Sequence, residues 1–375
     1  MLALLTRVLA ARRPARQVAL FRISVGLAVV VRGLKTARDL YLLQYDPFVV
    51  PAPLYDWAPR PQTLPAIALL AGTSLLAGAT LTVGWHARLS AFVACVLSTW
   101  LHLTDQNLWG HHVYFMTLML LLLSMTDSDA SLSVRWIREG RREREVPSWP
   151  VWLAQVQLSL VYFFTAVAKL NPTFLSGEVM RSRIVTWPGM SSLAQPLSIV
   201  AIAAEFFLAF ALWNRRLRPW ALVVGFLMHG LIPILLTPYA GLIVFTLLVF
   251  GVYVLFLDAM PQSRLVVWDD TCGFCGHTIA WLRRLDWLAV HRFEGSSRPE
   301  ALAEAGVSAV EAADEIKVRA DGRTSGGFDA ICRILEVTPV AFLWAPALAL
   351  PPMAQLGRAA YRHVADRRHC RLPPR

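Results

Sequence analysis

Asp269-Asp270-Thr271-Cys272-Gly273-Phe274-Cys275 decides the reading of the C-terminal third of the chain. Before it stands Leu265-Val266-Val267-Trp268, a β-branched and aromatic run that predicts a strand. After it, Gly276 to Leu285 predicts a helix. Strand, Cys-x-x-Cys, helix is the layout of a thiol–disulfide redox site. A cysteine at a helix N-terminus has its thiolate stabilised by the free backbone N–H groups and the helix dipole, and Cys272 takes that position. Cys275 lies one turn on, within reach of a mixed disulfide. Cys272 is thus expected to attack and Cys275 to resolve. Asp269 is a candidate proton acceptor for Cys275. The two aspartates add negative charge beside the pair, which predicts a reducing or weakly oxidising site.

The pattern continues downstream. Ala289 to Phe293 and Glu315 to Arg319 predict two more strands, and Asp321-Gly322 a turn into a short fourth. Pro299 to Ala305 and Gly327 to Leu335 predict helices, and the last 35 residues are helical and basic. Alternation of this kind is an α/β sandwich of ordinary domain size. A metal site built on Cys272, Cys275, His277 and Cys332 is the weaker reading, because no second Cys-x-x-Cys is present. No metal is expected.

Upstream the chain changes character. Of the 375 residues 56% are hydrophobic and only 16% charged, too little charge for a soluble protein of this size. Apolar runs near 20 residues match the length that crosses a bilayer core. Eight membrane helices are predicted, at roughly 18–34, 64–84, 88–104, 109–125, 150–169, 193–213, 219–236 and 240–257. Leu2 to Ala11 predicts a short amphipathic surface helix. The expected fold is therefore a polytopic α-helical membrane domain of about eight spans, residues 1–260, followed by a small α/β domain, residues 261–375.

The formal net charge is +11, and most of it lies in residues 1–260. There it orients helices and meets anionic membrane lipid, the expected partner. Nucleic acid is not an expected partner, since no basic helix is interleaved with aromatics. Lys and Arg gather in 1–22, 126–149 and 214–218, which places the N-terminus on the cytoplasmic side of a bacterial-type inner or plasma membrane. With eight spans the C-terminus lies there too. Five cysteines, only two of them closely spaced, fit a reducing compartment; Cys95, in an apolar run, reads as a core residue.

Ionisable residues inside spans are functional candidates. Arg22, Arg32, His102, His111, His112, Lys169, Glu205 and His229 are the ones that stand out. Arg22 and Lys169 lie near span ends, where long side chains can snorkel. A lone membrane histidine is often a helix–helix hydrogen-bond partner. Glu205 sits mid-span and needs a partner or a proton. His111, His112, Lys169 and His229 fall near one depth, so a desolvated Lys169 could act as base with a histidine beside it.

Two resemblances follow from these residues. Residues 264–370 resemble the DCC family of thiol–disulfide oxidoreductases through Asp269, Cys272 and Cys275, Trp281 to Asp286, Asp321-Gly322-Arg323, Gly327 to Ala330 and Ala360 to Arg368. Trp268-Asp269-Asp270 replaces the usual Tyr-Asp-Gly. This implies a thioredoxin-like fold and a thiol or disulfide substrate or redox partner. Residues 14–258 resemble the horizontally transferred transmembrane (HTTM) domain, related to vitamin K-dependent γ-glutamyl carboxylase. Leu20-Phe21-Arg22 with Gly26, His111 to Tyr114, and Tyr162 to Asn171 with Gly177-Glu178 carry it. Phe174 stands where a Trp is usual. The resemblance implies Lys169 as base, assisted by His112, with His111, His229 and Glu205 around them. It implies a quinone or quinol as cofactor, none being covalently bound. Three functions are then expected to compete. They are a membrane-anchored thiol–disulfide oxidoreductase, a quinol- or lipid-handling membrane enzyme with an accessory redox domain, and a non-catalytic anchor for a binding module.

Overall fold

The computed structural model describes residues 10–43, 50–57, 60–140, 144–184, 188–236, 240–257 and 263–367. The amphipathic helix expected over Leu2 to Ala11 lies almost wholly outside them. The chain divides into two compact units, Met1–Phe256 and Leu257–Arg375.

Unit 1 is helical. Its long helices are α1 (Ala15–Leu43), α2 (Leu64–Val83), α3 (Ala87–Thr104), α4 (His111–Ser124), α5 (Trp149–Ala168), α6 (Ala194–Ala211), α7 (Arg218–Leu235) and α8 (Ala240–Leu255). Six are long and apolar enough to cross a membrane; α4 and α8 are shorter. The expectation of eight spans is thus supported for six helices. α1 also runs well past the expected 34, because its polar end is satisfied locally. Lys35 and Arg32 both pair with Asp39, and Arg32 Nη2 donates to Leu108 O at 3.0 Å. A small ribbon, β1 (Arg12–Pro14) antiparallel to β2 (Glu145–Pro147), sits at the start of α1.

α1 packs along both α2 and α8. Small residues make the α1–α2 approach close. A methyl group at Gly26 would lie 2.7 Å from Thr82 N, and one at Gly78 would lie 2.9 Å from Val30 N. Such backbone contact is how membrane helices gain packing where lipid offers no hydrophobic contrast. Gly84, at φ 69°, ends α2 in the left-handed conformation open to glycine.

Arg22 completes this end of the bundle. It does not snorkel: it is 0% exposed, and its guanidinium donates to Ser128 O at 2.8 Å and Leu132 O at 2.7 Å. It thereby satisfies carbonyls of the 126–133 loop that would otherwise be orphaned.

Unit 2 is a four-stranded sheet flanked by helices. The strands are β3 (Arg264–Trp268), β4 (His291–Gly295), β5 (Lys317–Ala320) and β6 (Arg323–Gly326), in the order β4-β3-β5-β6. β3 and β4 are parallel; β3–β5 and β5–β6 are antiparallel. Its helices include α9 (Gly273–Leu285), α10 (Pro299–Ala305), α11 (Ala309–Asp314), α12 (Gly327–Leu335) and α13 (Pro351–Arg367). Alternation along β3 fixes both faces. Val266 joins Ile279, Leu282, Ala330 and Ile334 from α9 and α12. Leu265 and Val267 join Ala301, Ala305 and Ala312 from α10 and α11. α11 was not expected from the sequence, although Ser308 and Glu311 form a full capping box at its start.

Candidate functional sites

The two cysteines sit where β3 hands over to α9. Cys272 is the N-cap of α9, with extended backbone, and Cys275 is in its first turn. Asp269 shapes the approach. Its buried carboxylate accepts from Thr271 N at 3.0 Å and Thr271 Oγ at 2.7 Å, and its carbonyl accepts from Cys272 N at 3.3 Å. This Asx turn aims the chain into the helix.

Asp270 turns outward and is tied to the loop after β4. It accepts from Ser296 Oγ, from Ser297 Oγ and from Ser297 N at 3.2 Å. Partial burial works to raise this carboxyl, but the serine hydrogen bonds outweigh it and hold the group below its usual range. Gly295 is required here, since a methyl group would lie 2.1 Å from Asp270 Oδ2.

The cysteines differ in environment. Cys272 is 2% exposed and disulfide-bonded. Cys275 is half-buried and keeps its thiol, as do Cys95 and Cys332. Cys275 also lines a cavity of about 70 Å³ together with Asp269, Trp268, Ile331 and residues of α13. So the sulfur that faces a pocket is the second of the motif, not the first. Helix-terminus arguments rank Cys272 higher because they see the dipole and not the packing.

In unit 1 the structure sorts the expected residues into two groups. Lys169, the C-cap of α5, reaches Glu205 on α6, with Nζ to carboxylate distances of 2.5 and 2.6 Å. Glu205 thereby has the partner it needed. The Phe174 ring lies 5.7 Å from Lys169 Nζ, a cation–π contact. His229 on α7 is in electrostatic range of Lys169. Its Nε2 is 2.8 Å from Tyr162 Oη, and Tyr162 Oη in turn bonds Tyr253 Oη of α8. All three rings are buried, and Gly225 leaves the space that Tyr253 Oη fills. His229 Nδ1 has no partner among the described residues.

His112 keeps other company. Its neighbours in electrostatic range are Arg32, Lys35, His102 and His111. The ring is held between two glycines, where methyl groups at Gly110 and Gly241 would lie 2.8 and 2.7 Å from it. His112 Nε2 has no partner among the described residues. His111 is exposed and stacks edge-on against Trp109, with centroids 4.5 Å apart. α8 links the groups: Gly241 lies against His112, and Phe245, one turn on, lies 5.3 Å from the His229 ring. Tyr253 is the member that sequence reading missed. An aromatic in an apolar run carries no local signal of a buried hydroxyl chain.

A helical unit with intramembrane ionisable groups, followed by an α/β unit with a Cys-x-x-Cys at a strand–helix junction, defines a membrane protein with a redox domain. The comparisons agree with this class. A family model described as HTTM domain matches residues 12–257, and one described as DCC1-like thiol-disulfide oxidoreductase matches residues 266–372. The chain belongs to the HTTM family, with the DCC1-like domain following in the same polypeptide. No solved structure matches it.

Proposed function

We propose that the chain is a membrane-anchored thiol–disulfide oxidoreductase working through Cys272 and Cys275. The observation that carries this is the half-buried Cys275 at the wall of an open pocket, one helical turn from Cys272. In the reduced protein the Cys275 thiolate attacks a substrate disulfide. One substrate sulfur joins Cys275, and the other leaves as thiolate. Cys272 then displaces the first sulfur, leaving a Cys272–Cys275 disulfide and a fully reduced substrate. Two electrons have passed to the substrate, and a cellular thiol or dithiol recharges the pair. Asp269, which lines the same pocket, is the group that takes the Cys275 proton. These roles reverse the sequence expectation that Cys272 attacks, because burial counts against Cys272 as the first contact. In this reading unit 2 lies on the cytoplasmic side, where thiols stay reduced.

Trapping tests the assignment. The full chain in lipid nanodiscs carrying Cys272→Ser is expected to accumulate mixed disulfides at Cys275, and Cys275→Ser is not. Absence of disulfide turnover by the unsubstituted protein overturns the reading.

A second reading rests on the Lys169–Glu205 pair beside the His229–Tyr162–Tyr253 chain, since such groups inside a membrane are costly to keep. It is a quinol-handling site with Lys169 as base, and the redox domain supplies or accepts electrons. Oxidation of a reduced naphthoquinone by the protein, lost in Lys169→Ala, is its expected signature. Survival of the chain's cellular function with both sites substituted favours a non-catalytic anchor.

A further inference from the structure

The cavity beside Cys275 is walled by α13, a helix with no part in the Cys-x-x-Cys motif. Trp268 from β3, Ile279 from α9, Ile331 from α12, and Tyr361 and Val364 from α13 line it. The wall is built and not loosely laid on. Tyr361 Oη accepts from Ile316 N at 3.1 Å, Arg358 binds Asp329 through Nη2 at 3.0 Å and Nε at 3.1 Å, and Gly357 packs against the Phe328 ring. The lining is almost wholly apolar, so water gains little there and an apolar group gains much.

The apolar surface continues from the pocket along α9. Phe274, which lines the pocket, is 54% exposed, and Trp281, beyond the lining, is 56% exposed. Seven residues apart, they share one side of the helix about 10 Å along its axis. A small hydrophobic disulfide would fill the pocket and leave Trp281 idle. An extended polypeptide would use both.

We propose that this pocket and strip recognise a polypeptide whose reacting cysteine lies next to an aliphatic or aromatic side chain. The substrate sulfur meets Cys275, the neighbouring side chain enters the pocket against α13, and the following residues cross Phe274 and Trp281. The inference rests on the redox reading above and names its substrate class.

The test uses the full chain in nanodiscs and two disulfide-linked model peptides that differ only in Leu or Asp beside the cysteine. Hydroxyethyl disulfide serves as a small polar probe. Burying one Leu side chain corresponds to a preference of about tenfold or more. The ratio of kcat/KM for the Leu peptide over the Asp peptide is expected to be at least that large. Val364→Glu, which puts charge in the pocket, is expected to bring the ratio to about one, and Trp281→Ser to lower it in part. Val310→Ser, on α11, is the control that leaves the ratio unchanged. Equal use of the two peptides by the unsubstituted protein overturns the inference, as does a ratio that survives Val364→Glu. If hydroxyethyl disulfide is turned over but neither peptide is, the site takes small disulfides and the inference fails while the redox reading stands. Turnover of none of the three removes both.

Discussion

Cys272 and Cys275 are one turn apart, yet one is enclosed in a disulfide and the other faces a pocket. A residue-scale prediction concerns Asp286. Its buried carboxylate accepts from Val290 N at 3.0 Å and His291 N at 2.9 Å, with His291 Nδ1 at 3.2 Å. Burial pushes the carboxyl up, and the His291 and backbone hydrogen bonds more than reverse that, holding it below its ordinary 3.8. A depressed folded value means stability that is present above the ordinary value and lost as pH falls through the folded one. Unit 2 is expected to weaken on acidification below about pH 4. Asp286→Ala should flatten that acid limb and cost about 2 kcal/mol at neutral pH, since two buried N–H groups lose their acceptor. Chemical denaturation at several pH values checks both.

At the scale of elements, the α1–α2 contact depends on missing side chains. Gly78→Leu sets a branched side chain against Val30 backbone, and overpacking of this kind costs about 1–3 kcal/mol or forces the helices apart. Steric-trap or detergent unfolding of unit 1 is expected to report a loss of that size, whereas Gly72→Leu, where a methyl group meets nothing within 4 Å, should be close to neutral. This contrast also marks what sequence can and cannot tell. Both glycines lie in one apolar run, and nothing local separates them. Element existence was legible wherever one periodicity persisted, as in Leu265 to Trp268 or in Gly327 to Leu335, the latter matched end to end. The bounds of α1 were not legible, because Arg32 and Lys35 looked like a terminus until Asp39 and Leu108 O supplied their partners. Lys169 and Glu205 were each legible as candidates. Their pairing was not, since 36 residues separate them and only the α5–α6 packing brings them together. The difference in burial between Cys272 and Cys275 was not legible for the same reason: the helix dipole is local and burial is not.

At the scale of the whole molecule the open relation is between the two chemistries that one chain carries. Both lie behind the same test of sidedness. Helices α1 to α8 alternate in direction if each crosses the bilayer, and an even count returns unit 2 to the side of the chain start. Six helices meet the length for crossing, and α4 and α8 are shorter than a full span. Two short helices entering together would keep the count even, so the expected sidedness survives whether the count is six or eight; one of them alone crossing would reverse it. Labelling of Cys332 and of a cysteine introduced at Arg12, ahead of α1, by an impermeant maleimide in sealed vesicles is expected to occur from one and the same side, the cytoplasmic one. If Cys332 labels from the opposite side to position 12, an odd number of crossings separates the residues, and the reducing-compartment argument for the Cys272/Cys275 pair falls with it. If the sides agree, coupling can be read directly. Electron flow between the sites requires that Lys169→Ala change the steady-state oxidation of Cys275 during turnover with a quinol. Two independent functions predict that it stays unchanged while quinol oxidation alone is lost.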